Sequence, residues 1–65
     1  MNTITRKAAP SGYVFQVIAG ADMASDLSED RARSYCERLG GRFPEAYANI
    51  AARPATSVEH INVDA

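Results

Sequence analysis

The residues of this chain that could do chemistry are few, and most lie in one stretch, SEDRARSYCERLGGRFPEA, residues 28 to 46. It holds the single cysteine, Cys36, and the adjacent carboxylates Glu29 and Asp30, while the single histidine, His60, stands far along the chain. A nucleophilic cysteine needs a thiolate and a base within hydrogen-bond reach. Cys36 falls instead in a stripe of Ala32, Tyr35, Cys36 and Leu39, at offsets of three, four and seven, which is one face of a helix. That spacing buries the thiol, and a buried thiol stays protonated and inert. His60 belongs to a β-prone segment, on the face of Val58 or at a sheet edge, as a structural or surface residue. Glu29 and Asp30 are neighbours, so on a helix they diverge by about 100° and cannot converge as an acid–base pair. One Cys and one His exclude an internal disulfide and a zinc site. The segments AGAD and LGG lack the spacing of a phosphate-binding loop. The expectation is a protein that is not an enzyme and uses no cofactor or metal.

The elements that position these residues follow from periodicity and punctuation. Residues 2 to 7, NTITRK, and 13 to 19, YVFQVIA, are rich in β-branched and aromatic side chains and read as strands, with AAPSG between them as a hairpin turn. In the second strand Tyr13, Phe15, Val17 and Ala19 share one face and Val14, Gln16 and Ile18 the other. One face packs on helices, and the other is either a partly exposed sheet face or a partner surface. GADMASD reads as a loop leading to a helix capped by Asp26 with Glu29, or by Ser28. Glu29, Asp30, Arg33, Glu37 and Arg38 face outward on it, and Gly40 and Gly41 end it. RFPEAYANIAARP predicts a second helix with Pro44 in its first position, Glu45 near the positive end of its dipole, and Phe43, Tyr47, Ile50 and Ala51 as its apolar stripe. Pro54 stops it, and TSVEHINVD, with Val58, Ile61 and Val63, adds a last strand. The expected fold is a single α+β domain over residues 1–65, a three-stranded antiparallel sheet packed against two helices in the order β-β-α-α-β.

Composition bounds the function. A domain of 65 residues buries only roughly 60% of the surface that its unfolded chain exposes, so its stability is modest and self-association is a natural supplement. Hydrophobic residues at 46% and charged residues at 23% are ordinary values for a folded domain. A net charge of -1 gives no basic footprint for direct nucleic-acid binding. The apolar-rich run from residue 13 to 21 is broken by Gln16 and Gly20 and is too short to cross a bilayer. The opening MNTITRKAAPSG has no apolar core of the kind that a signal peptide needs. A cytoplasmic location is expected, in keeping with a lone thiol.

One regional charge bias remains, the acids Asp22, Asp26, Glu29 and Asp30 between the second strand and the first helix. Acids at a helix start gain about 0.3–1 kcal/mol each from its dipole, which accounts for Glu29 and Asp30. The stretches GYVFQVIAG, ADMASDLSED, GGRFPEA and HINVDA, in this order of elements, resemble small phage-encoded anti-CRISPR proteins that inhibit type I-F surveillance complexes. The likeness covers most of the chain. It implies stoichiometric binding to a CRISPR effector complex, with carboxylates standing in for DNA phosphates and Asp22, Asp26, Glu29 and Asp30 as contact residues. The chain departs from that pattern in being nearly neutral and in placing Arg31 and Arg33 directly after the acids. A contact through the face bearing Val14 and Ile18 is the alternative, either to a host protein or to a second copy in a homodimeric accessory module. ARSYCERLGG is also similar to a short piece of C-type lectin domains, but those are far longer and depend on several disulfides.

Overall fold

Eight-residue strands open the chain: β1 (Asn2–Ala9) and β2 (Gly12–Ala19) pair antiparallel in full register, from Asn2 opposite Ala19 to Ala9 opposite Gly12. The ladder continues through the flanks of AAPSG and leaves only Pro10 and Ser11 as the turn, so the hairpin is tighter than the sequence suggests. This computed structural model describes residues 2–54 and 56–64; Met1, Ala55 and Ala65 lie outside the described residues.

The segment read as a loop is a strand. β3 (Asp22–Leu27) pairs antiparallel with the free side of β2, with Asp22 opposite Ala19 and Leu27 opposite Phe15. Gly20, at φ 63, makes the reversal possible, because a left-handed residue is what a two-residue hairpin turn requires. DMASDL has almost no β-propensity of its own, and the β2 ladder supplies the pairing that local preference does not. A bulge lies between its contacts with Phe15 and Val17, and Asp26 takes φ 58 there.

Two helices follow, α1 (Glu29–Leu39) and α2 (Phe43–Ala51), and then β4 (Val58–Asn62), which returns to pair antiparallel with β1. The sheet therefore has four strands in the order β3-β2-β1-β4, and the chain runs β-β-β-α-α-β. The α+β class holds; the expected three strands and β-β-α-α-β order are corrected by β3.

Local signals set both helices. Ser28 caps α1, its hydroxyl accepting from the Arg31 N–H at 3.4 Å, so the cap is Ser28 and not Asp26. Gly40 closes α1 in the left-handed conformation at φ 79. Pro44 sits in the first turn of α2 behind Phe43.

One core fills the space between the helices and one sheet face. Ile4, Phe15, Val17, Ile61 and Val63 come up from the sheet, Ala32 and Cys36 from α1, and Phe43, Ala46 and Ile50 from α2. The α2 stripe runs 43, 46, 50; Tyr47 and Ala51, expected in it, are exposed, as is Leu39 on α1. Phe43 is the largest fully buried side chain, tilted against Phe15 with ring centroids 6.2 Å apart.

Candidate interaction surface

Cys36 is fully buried, at 0% exposure, where the core stripe of α1 meets the sheet. Burial pushes its thiol above the ordinary range, and the charge of Asp64 adds to the effect. The imidazole of His60 is on the opposite face of the sheet, its Nδ1 3.0 Å from the Thr5 hydroxyl. The two groups of a Cys–His pair are thus separated by the sheet itself. Alkylation of native Cys36 is expected to be slow and limited by unfolding, with full reaction in denaturant. Cys36→Ser should cost about 1–3 kcal/mol, since a hydroxyl replaces the less polar thiol in a fully buried, packed stripe. Thiol-reagent kinetics and urea melts check both.

The sequence-predicted acids do not gather. Asp22 begins β3 beside the turn, and Asp26 sits near its other end, about 13 Å away at 3.3 Å per residue. Asp26, Glu29 and Asp30 share the junction of β3 and α1. Lys7 meets Asp26 at 3.1 Å and Arg33 meets Glu29 at 3.3 Å across one helical turn. Asp22 and Asp30 are exposed. Two of the four carboxylates therefore already face cations, and exposed pairs of this kind are worth about 0.2–1 kcal/mol.

The second sheet face is more distinctive. Alternation puts Thr3, Thr5 and Lys7 of β1 on it beside Val14, Gln16 and Ile18 of β2, and no helix lies over it among the described residues. Met23 of β3 lies opposite Ile18 and is 61% exposed. Gln16 crosses the strands here, its Nε2 3.0 Å from the Met23 sulfur and 3.1 Å from the Ser25 hydroxyl. The result is an open platform with Val14, Ile18 and Met23 framed by polar side chains, and with the Lys7–Asp26 pair at one end. The alternation of GYVFQVIA marks the apolar part of this face, whereas Met23 stayed hidden because its strand was read as a loop.

A second feature lies on the core side and was not singled out from the sequence. Arg6 and Glu59 face each other across β1 and β4, joined at 2.9 Å, with side chains only 11% and 5% exposed. The Thr56 hydroxyl donates to the same Glu59 oxygen at 3.0 Å, and the guanidinium lies 4.5 Å above the Tyr13 ring. Burial raises the Glu59 carboxyl, but the hydrogen bonds from Arg6 and Thr56, with the charges of Arg6 and Arg53, outweigh it and hold the group below its usual range. Arg6 Nε and Glu59 Oε2 are buried without hydrogen-bond partners among the described residues. The signal was present: Ile4 and Ile61 face the core, and period two puts Arg6 and Glu59 on the same side. An Arg–Glu pair with a hydroxyl and an aromatic ring forms a structural link between β1 and β4.

Two shallow cavities border β4. One, about 240 Å³, lies against α2 between Glu45, Asn49, Ile61 and Val63; the other, about 470 Å³, lies beside Arg53, Pro54, Val58 and Glu59. Among the described residues no group of three or more His, Cys, Asp or Glu side chains is placed to hold a metal ion, and no helix is long and apolar enough to cross a membrane. Compared with protein-family models, curated proteins and solved structures, the chain matches none of them.

Proposed function

We propose that this chain is a non-enzymatic binding protein, a phage-encoded inhibitor that acts in the host cytoplasm by covering a CRISPR effector complex, protein on protein. The observation that carries the binding reading is the uncovered sheet face, where Ile18 stands beside the 61% exposed Met23 and Val14 lies further along the same strand, with a packed core behind them. An apolar cluster rimmed by polar groups on a small rigid sheet suits a protein partner. The identity of that partner rests on the resemblance of the sequence to anti-CRISPR proteins. Asp26, Glu29 and Asp30 at the β3–α1 junction lie beside the platform's Lys7 end and would meet basic groups of the effector; Asp22, at the far end of β3, forms a separate contact point.

The test is binding of the purified chain to a purified type I-F effector complex, with interference measured in cells that express it. Capture at a fixed stoichiometry with lost interference is expected. Ile18→Lys, beside Met23 on the platform, should weaken binding about tenfold or more while leaving the fold intact. No binding and undiminished interference would remove the CRISPR reading.

A further inference from the structure

The two edges of the sheet are built differently. β3 carries a bulge, a left-handed Asp26 and the exposed carboxylates of Asp22 and Asp26, and such features keep an edge strand from pairing with another chain. β4 has none of them. Its ladder to β1 includes the Ala8 N–H donating to the Ser57 carbonyl at 3.0 Å and the Val63 N–H donating to the Asn2 carbonyl at 2.8 Å. Antiparallel alternation then turns the backbone of Glu59 and Ile61 toward β1 and that of Val58, His60 and Asn62 outward. Of those outward groups, the Val58 carbonyl lies 3.2 Å from the Thr56 hydroxyl, whose single proton it shares with the nearer Glu59 carboxylate. No Lys, Pro or bulge interrupts VEHIN, and its one charged side chain, Glu59, is turned inward to Arg6 at 2.9 Å.

We propose that β4 pairs edge to edge with β4 of a second copy of this chain, antiparallel about a two-fold axis through His60, so that the two sheets become one. In this register His60 faces His60 and Val58 faces Asn62, and the outward N–H and C=O groups of these residues satisfy one another. A two-fold axis makes a single strand its own complement. It also reverses the flanks. Arg53, beside the Val58 end, comes toward the end of the other copy where the Arg42–Glu45 pair stands beside Ile61 and Val63, a flank of no net charge. Val58, 50% exposed in one copy, gains Asn62 of the other copy as a cross-strand neighbour. The net charge of -1 opposes association little, and a domain this small gains from it. The inference is independent of the binding platform, since Val14, Ile18 and Met23 remain open in the dimer.

Sedimentation equilibrium with amide hydrogen exchange tests this. The native chain should show twice its 7.0 kDa mass, with the His60 and Asn62 amides protected. His60→Pro removes an N–H that points away from β1, so the internal ladder survives while the seam is lost. Val58→Lys places a gatekeeping charge on the same edge and serves if the proline variant misfolds. Both should be monomers with native circular dichroism, and Ile18→Lys should remain a dimer. A native chain that stays monomeric to millimolar concentration would overturn the proposal. So would a dimer that Val58→Lys leaves intact and Ile18→Lys dissolves, or one held by a strand of a different protein in place of a second copy.

Discussion

Phe43→Ala is expected to leave the chain largely unfolded at room temperature. The ring is 1% exposed, tilted against Phe15 at 6.2 Å, stacked on Tyr47 at 6.0 Å, and overlain by the Arg33 guanidinium at 5.7 Å. It is where α1, α2 and the sheet meet, and no neighbouring element can collapse into the void without separating from another. Buried Phe→Ala changes cost about 3–5 kcal/mol. At about 0.05–0.15 kcal/mol per residue, a chain of this length has about 3–10 kcal/mol in total. The loss is thus comparable with the whole. Far-ultraviolet circular dichroism should show a Tm lowered by tens of degrees or no cooperative transition, and Phe43→Leu should recover much of it. The same variant is the control for the surface change: Ile18→Lys must lose binding with the Phe43 core intact.

What the sequence made legible is what local chemistry decides. The Ala32–Cys36 spacing of α1, its glycine cap, the proline in the first turn of α2 and the alternation of β2 are written in residue types a few positions apart, and the structure reproduces them, with Ser28 in place of Asp26 as the N-terminal cap and Leu39 left exposed. Cys36 was placed in the core by spacing alone and is there. β3 was missed because DMASDL has neither β-branched residues nor alternation; its strand character is imposed by the unpaired side of β2, which is tertiary information. The two-residue turns followed from the same cause, since a ladder extends as far as its partners allow. The acids show the same limit in the other direction. Four positions apart in sequence, Asp22 and Asp26 are held apart by most of the length of β3. The Arg6–Glu59 pair was legible in principle, because period two at Ile4 and Ile61 dictates it, but it needed the β1–β4 register to bring two distant residues face to face.

That pair makes the second prediction. Glu59 is held below the ordinary carboxylate range in the folded chain, so the folded state binds its proton less readily than the unfolded one. The stability it contributes is fully present above the unfolded carboxylate's value and disappears as pH falls through the lower, folded value. Thermal melts of the native chain should therefore show Tm falling across the acid side of the carboxylate range and level at neutral pH. Glu59→Gln removes that dependence: its Tm is lower at neutral pH and converges on the native curve in acid. The neutral-pH loss should exceed that of Glu29→Gln, whose exposed pairing with Arg33 across one helical turn is worth about 0.3–0.5 kcal/mol. The reason is that Arg6, 11% exposed and wedged against the Tyr13 ring, cannot retreat to water when its counter-charge is gone. Replacing both members, Arg6→Met with Glu59→Leu, removes the orphaned charge along with the two buried atoms that now lack partners, and should recover most of the stability of the native chain. A double variant as unstable as Glu59→Gln alone would mean that the ion pair itself, and not the isolated guanidinium, sets the stability of the β1–β4 seam.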